Sequence, residues 1–182
     1  MFKELNILKL FFDEPNREFN VREVARLVKV SPATASSELK KYVGLDILKE
    51  RKERMLKLYG ADLEKEMYRD LKLYYLLRKI REIGLISVLN KKYLKPAIVL
   101  FGSAALGMDT EIGDIDLLIV SEKISFIDLK KYEKKLKRNI QVINVKSVKD
   151  IKNNHLVNNI LNGFVLQGKI RWIWMIVLER VW

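Results

Sequence analysis

Two short, unbroken apolar runs place the tightest constraint on this chain. Ala97-Ile98-Val99-Leu100-Phe101 stops abruptly at Gly102-Ser103, and the second run opens on charge: Asp114-Ile115-Asp116-Leu117-Leu118-Ile119-Val120. Continuous apolar stretches of this length, bounded by glycine and polar residues, read as strands buried on both faces. Side chains two residues apart on a strand share a face. Asp114 and Asp116 therefore leave the strand start together, towards the loop that follows the first strand. Two carboxylates held side by side repel unless a cation lies between them. Mg²⁺ fits, because it takes oxygen ligands and is usually held by one or two carboxylates plus substrate phosphates. Gly102 lets the backbone approach closely, and N–H groups with the Ser103 hydroxyl suit phosphate oxygens.

Ahead of this pair the chain reads differently. An apolar stretch over residues 2–12 ends at Asp13-Glu14-Pro15-Asn16, and Asn20 with Glu23 forms a capping box for a second helix. Ser31-Pro32 caps a third, expected over residues 33–42 with Ala35, Leu39 and Val43 inward. Two strands with a charged tip follow over residues 47–52 and 54–59. Helix, turn, short polar helix and basic hairpin resemble a winged helix-turn-helix DNA-binding domain over residues 1–60. The resemblance implies that Thr34, Ser36 and Ser37 face base edges, with Lys40, Lys41, Arg51, Lys52 and Arg54 on phosphates of double-stranded DNA. The formal charge of +12 agrees with a polyanionic partner and is spread along the chain instead of gathered in a tail.

Residues 61–95 read as a helical connector. Asp62 is expected to cap a long helix presenting Leu63, Met67, Leu71, Tyr74, Leu77 and Ile80 on one face, and a shorter helix runs over residues 85–93. Helices so placed commonly pair subunits, which points to a homodimer. The absence of cysteine excludes disulfides and thiolate metal sites and suits a reducing, cytoplasmic compartment. His155 has no carboxylate or cysteine beside it and reads as a surface or packing residue. The closing IRWIWMIVLERVW is too short to span a membrane; burial against the core or a partner chain is expected.

The string LFGSAALGMDTEIGDIDLLIV is similar to the signature of the polymerase-beta-like nucleotidyltransferase superfamily: a strand, Gly-Ser, a spacer and an Asp-x-Asp strand. Its compact form, carried by Gly102, Ser103, Ala105, Gly107, Asp114, Asp116, Leu117 and Leu118, looks like the minimal nucleotidyltransferases of archaea and bacteria. The resemblance implies an α+β chain whose residues 96–182 form an α/β domain with a small mixed sheet. It makes Asp114 and Asp116 catalytic and metal-binding (Mg²⁺ or Mn²⁺), and places Gly102 and Ser103 on a nucleoside triphosphate, ATP favoured. A nucleoside monophosphate would pass to a protein or nucleic-acid acceptor. Relatives of this type also imply a toxin-like protein acceptor, with this chain in an antitoxin role.

One element of that pattern is missing. A third carboxylate is expected from a later strand, residues 140–145, where the slot holds Gln141 or, one register on, Asn144. An amide offers a carbonyl oxygen but no charge, and takes no proton at neutral pH. Ser125 and Asp128 read instead as a capping box for the helix before that strand. Two functions stay open: a DNA-binding nucleotidyltransferase, or a non-enzymatic transcription regulator using the domain for nucleotide sensing or assembly. Gln141→Asp should raise activity if this slot is the missing ligand.

Overall fold

The protein is described by a computed structural model over residues 6–170. The first segment is helical with a small sheet: α1 (Leu8–Asp13), β1 (Phe19–Asn20), α2 (Val21–Val28), α3 (Pro32–Gly44), β2 (Leu48–Glu53) and β3 (Leu56–Ala61). Local chemistry sets the helix starts. The Asn20 side chain accepts from the Glu23 N–H, and the Ser31 hydroxyl accepts from the Thr34 N–H with Pro32 at the first helical position. α3 runs to Gly44 and turns Ala35, Leu39 and Tyr42 inward. Val43 stays half-buried, because Tyr42, one position earlier, sits squarely on the inward stripe. Strands β2 and β3 form an antiparallel hairpin, with β1 on the other edge of β3.

The second segment comprises α4 (Glu66–Glu82), α5 (Leu85–Tyr93), β4 (Ala97–Phe101), α6 (Gly102–Ala105), β5 (Ile115–Val120), α7 (Lys130–Leu136), β6 (Ile140–Val145), α8 (Asn154–Leu161) and β7 (Phe164–Gln167). The strands make one sheet in the order β6-β5-β4-β7, mixed in direction: β4 is antiparallel to β5 and β7, while β5 and β6 are parallel through the α7 crossover. The chain is thus α+β, with a small mixed sheet in its second half. Strands β4 and β5 lie at the sheet centre and bury Ile98, Val99, Leu100, Leu117, Leu118 and Ile119 almost completely, as unbroken apolar runs require.

Helix α4 belongs to both halves. Its Tyr68 and Tyr75 pack into the first core beside Phe11, Phe12 and Phe19, and the Tyr68 hydroxyl donates to the Phe11 carbonyl at 2.8 Å. From Leu76 onward, Leu76, Leu77 and Ile80 pack into the second core with α5 and the sheet. The buried stripe therefore differs from the one expected. Met67 and Tyr74 are largely exposed, while Tyr68, Lys72 and Tyr75 are buried. Asp62 does not cap the helix. Strand β3 continues to Ala61, the Asp62 carbonyl accepts from Lys65 in a turn, and Lys65 occupies the cap position without a side-chain bond. The start slips by a turn, and the face rotates because an ionic contact pulls Lys72 inward.

That contact is with Asp109 in the loop between α6 and β5. Lys72 Nζ donates to the Asp109 main-chain carbonyl and lies 3.3 Å from its Oδ1, out of line for a hydrogen bond there. Arg138 NH2 lies 2.6 Å from Asp109 Oδ2, and its Nε donates to the Gly113 carbonyl at 2.6 Å. Lys72 and Asp109 are almost fully buried. Asp109 is the anion shared by Lys72 and Arg138, so removing its charge leaves both cations uncompensated. Asp109→Asn, which keeps the volume and deletes the charge, is expected to lower the unfolding free energy by about 3 kcal/mol. Urea titration reads this as a lower midpoint at unchanged m-value; a wild-type midpoint would show that the cluster does not hold the loop.

Candidate functional site

The site is assembled by strand register. The β4–β5 ladder ends with Phe101 opposite Asp116, so the Gly102-Ser103 turn follows directly beside the second acid. Gly102 has φ +71, and a Cβ there would sit 2.4 Å from Asp116 Oδ2. Both facts demand glycine: one for the backbone conformation, the other for the carboxylate's approach. Ser103 is exposed; its carbonyl accepts from the N–H groups of Leu106 and Met108, closing a tight loop. The Ser103 hydroxyl makes no hydrogen bond among the described residues and faces solvent. Gly107, at φ +64, lets this loop press on α4, where a Cβ would fall 2.2 Å from the Arg69 carbonyl oxygen.

Asp114 precedes β5 and is exposed, whereas Asp116, inside it, is half-buried. Asn139 Nδ2 donates to Asp114 Oδ1 at 3.2 Å and holds that side chain. Burial, and then the charge of Asp114, push the Asp116 carboxyl above its ordinary value. The two acids therefore sense each other, with Asp114 just ahead of the strand that holds Asp116. No group of three or more acidic, histidine or cysteine side chains capable of holding a metal occurs among the described residues. The available oxygens are two carboxylates and an amide. Such a donor set suits a hard ion that draws its remaining ligands from substrate phosphates and water.

The parallel β5–β6 register puts Gln141 beside Asp116 and Asn144 beside Ile119. Neighbouring residues in register share a sheet face. Gln141 is exposed and is the one of the two amides in register with Asp116. Asn144 serves the fold instead: its Nδ2 donates to the Ile119 carbonyl and its Oδ1 accepts from the Ser125 N–H. That bond takes Ser125 away from any capping box, and its hydroxyl donates to the Phe126 carbonyl. The helix starts at Lys130 with Leu129 at the cap position, and Asp128 Oδ1 accepts only from the Lys130 N–H. The expected Ser125–Asp128 box is therefore absent.

On the first module, Thr34, Ser37, Lys40 and Lys41 are exposed along α3 and Ser36 is half-buried. The hairpin cluster is partly neutralised. Arg51 NH2 lies 2.6 Å from Glu18 and 2.8 Å from Glu53, and Lys57 lies 2.6 Å from Glu50. Lys52 and Arg54 carry no ion pair among the described residues, and Arg54 sits at the hairpin tip with φ +53. His155 is exposed on α8. The tryptophan-rich end lies outside the described residues, and within them no helix is long and apolar enough to cross a membrane.

The residues that sequence reasoning passed over are Lys72, Asp109, Arg138 and Asn139. One signal was available. Lys72 interrupts a stripe at four-residue spacing, Tyr68, Lys72, Leu76 and Ile80, that is otherwise apolar and buried. A lysine in such a stripe needs a buried acid.

Residues 77–166 match the family model described as a nucleotidyltransferase domain. The match begins where α4 passes from the first core to the second. No curated protein matches the chain. Among solved structures, the chain is similar to one titled "Possible transcriptional regulator from Methanosarcina mazei Go1", at 20% identity and a TM-score of 0.35, covering 47% of this chain and 75% of that one.

A raised carboxyl pKa means that the charged form of Asp116 is disfavoured by the metal-free fold. Asp116→Asn should then raise the melting temperature at neutral pH without divalent ions. The difference should shrink as acid takes the pH down through the Asp116 pKa, where the wild-type side chain is itself neutral. A lower melting temperature for the variant would contradict the electrostatic account.

Proposed function

We propose that this chain, whose residues 77–166 belong to the nucleotidyltransferase domain family, is a DNA-binding protein that binds a divalent metal and a nucleoside triphosphate and transfers a nucleoside monophosphate to an acceptor. The single observation that carries this reading is the contact of Asp116 with Gly102 at the end of the β4–β5 ladder. It sets the Gly102-Ser103 turn against a pair of carboxylates. Nucleotidyltransferase domains typically use divalent metal ions. Asp114 and Asp116 would hold Mg²⁺ or Mn²⁺, which supplies charge neutralisation and orientation of the triphosphate.

The chain's own groups do the rest by positioning. Gly102 and Ser103 offer an uncrowded backbone and a free hydroxyl to phosphate oxygens, and Asn139 keeps Asp114 turned to the site. An acceptor hydroxyl oxygen bonds to the α-phosphorus, the bond from that phosphorus to the bridging oxygen breaks, and pyrophosphate leaves. The proton passes from the acceptor hydroxyl to solvent, since Gln141 takes none at neutral pH. Transfer is accordingly slow. A toxin-like protein acceptor is compatible with this chemistry and makes the chain antitoxin-like. Incubation with α-labelled ATP, Mg²⁺ and cell extract should label an acceptor, and Asp116→Asn should abolish the label. Gln141→Asp, which restores a third acid in register with Asp116, should raise the rate about 10²-fold. Nucleotide binding with no transfer by either form would leave the sensing regulator as the correct reading.

The DNA-binding half of the proposal rests on helix order and on unpaired cations. Residues 1–60 read as a winged helix, with α3 as the helix presented to the major groove and the β2–β3 hairpin as wing. A homodimer setting two such helices on successive half-sites belongs to the same reading. Lys40, Lys41, Lys52 and Arg54 are exposed without ion pairs among the described residues, whereas Arg51 is already matched by Glu18 and Glu53. Neutralising Lys52 and Arg54 together should lower the slope of log affinity for duplex DNA against log salt by about 2. Arg51→Ala should change it far less, and equal effects would show that the wing does not lie on the phosphate backbone.

A further inference from the structure

A cavity of about 360 Å³ opens directly beside the glycine-serine turn, lined by Gly102, Ser103, Leu106, Met108, Asn159 and Asn162. We infer that it is the nucleoside pocket of the triphosphate site, and that the Asn159 and Asn162 carboxamides read an adenine base held against Leu106 and Met108. The inference rests on the phosphate-binding role proposed above for Gly102 and Ser103.

Several features converge on this assignment. A triphosphate on the turn must send its sugar and base into adjoining space, and this cavity adjoins it. Leu106 and Met108 are about half exposed, at 53% and 50%, and give an apolar wall for the face of a base. Asn159 and Asn162 are three residues apart at the end of α8 and share the face opposite the buried Val157 and Ile160. The helix end is fixed there by Gly163, where a Cβ would lie 2.5 Å from the Leu100 carbonyl oxygen. No residue with a side chain allows α8 to approach β4 so closely.

The hydrogen-bonding groups left open favour one base. Asn162 Nδ2 donates to the Asn158 carbonyl at 2.9 Å, which leaves its Oδ1 free to accept. The Asn159 carboxamide makes no hydrogen bond among the described residues, so it presents a donor beside an acceptor. Turned either way, that carboxamide can meet an adenine or a guanine edge. The Asn162 Oδ1, an acceptor only, favours the adenine amino group over the guanine carbonyl. The carbonyl end of α8 also carries partial negative charge. It favours an exocyclic amino group and repels phosphates, which keeps the triphosphate on the turn. The larger cavity under α7, about 530 Å³, is walled chiefly by charged side chains including Lys130, Lys134 and Lys137 and offers a base little to stack on.

Isothermal titration of the full chain with Mg²⁺ and, in turn, ATP, GTP and inorganic tripolyphosphate tests the assignment. ATP should bind roughly tenfold or more tightly than GTP, and Asn159→Ala should remove about that factor for ATP. Tripolyphosphate affinity should not change in the variant, whose melting temperature reports that it folds. Asn159→Asp, which keeps the shape and loses the donor, should behave like Asn159→Ala. Equal affinities for ATP and GTP, or an Asn159→Ala protein that binds ATP as wild type does, would overturn the pocket while leaving the phosphate site standing. Failure of both ATP and tripolyphosphate to bind would instead remove the nucleotide reading beneath it.

Discussion

A carboxylate withdrawn from water must be matched by charge and hydrogen bonds at close range, and in this protein the requirement falls on Asp109. It lies in the loop that carries the chain from the glycine-serine turn to the acidic start of β5. Lys72 reaches it from α4 and Arg138 from the end of α7. Burial pushes the Lys72 ammonium down from its ordinary value, and the neighbouring Asp109 acts in the opposite direction. The cluster fixes the middle of a loop that would otherwise be free between two strand ends. Arg138 also binds the Gly113 carbonyl, one residue before Asp114. The position of the first acid thus follows from an ion cluster that contains neither acid of the site.

The second acid is set by different means. Asp116 is inside β5, so the ladder with Phe101 places it, and the missing side chain at Gly102 gives its carboxylate room. One carboxylate is held by a strand and the other by a loop, with Asn139 bridging from the start of β6. Their mutual repulsion is tolerated because Asp114 is exposed and only Asp116 is half-buried. A neutral Gln141 in the adjacent register adds nothing to that repulsion, as a third acid would. An amide there lets the two acids hold together without a metal more readily than a third carboxylate would.

What the sequence disclosed follows from which forces are local. Strands β4 and β5 were legible because a strand buried on both faces has to be apolar throughout. The caps at Asn20 and Ser31 were legible because a cap is a short-range bond between neighbours in the chain. The face of α4 was not, because Lys72 turns inward to meet a residue 37 positions away. The Ser125–Asp128 box failed for the same reason, since Asn144, 19 positions on, takes the Ser125 N–H. That bond also separates Asn144 from Gln141: register shows which of the two amides flanks Asp116, and register is a property of paired strands. The ion pairs that occupy Arg51 were equally hidden, because Glu18 meets it only when β1 and β2 flank β3.

Helix α4 joins these arguments. Its first turns complete an aromatic core with Phe11, Phe12 and Phe19, and its later turns close the core over the sheet. Lys72 lies between the two sets and sends its charge sideways into the loop of the site. Asn16 of the first module adds a contact from outside, with Nδ2 donating to both carboxylate oxygens of Glu111 in that same loop at 3.2 and 3.3 Å. Lys79 and Tyr75 bind Asp13 in turn. Residues 61–95 are therefore no flexible tether, since unwinding α4 would expose apolar surface of both cores and strand Asp109 without its lysine. A single rigid helix carries the first module and, through one buried lysine, the loop that delivers Asp114.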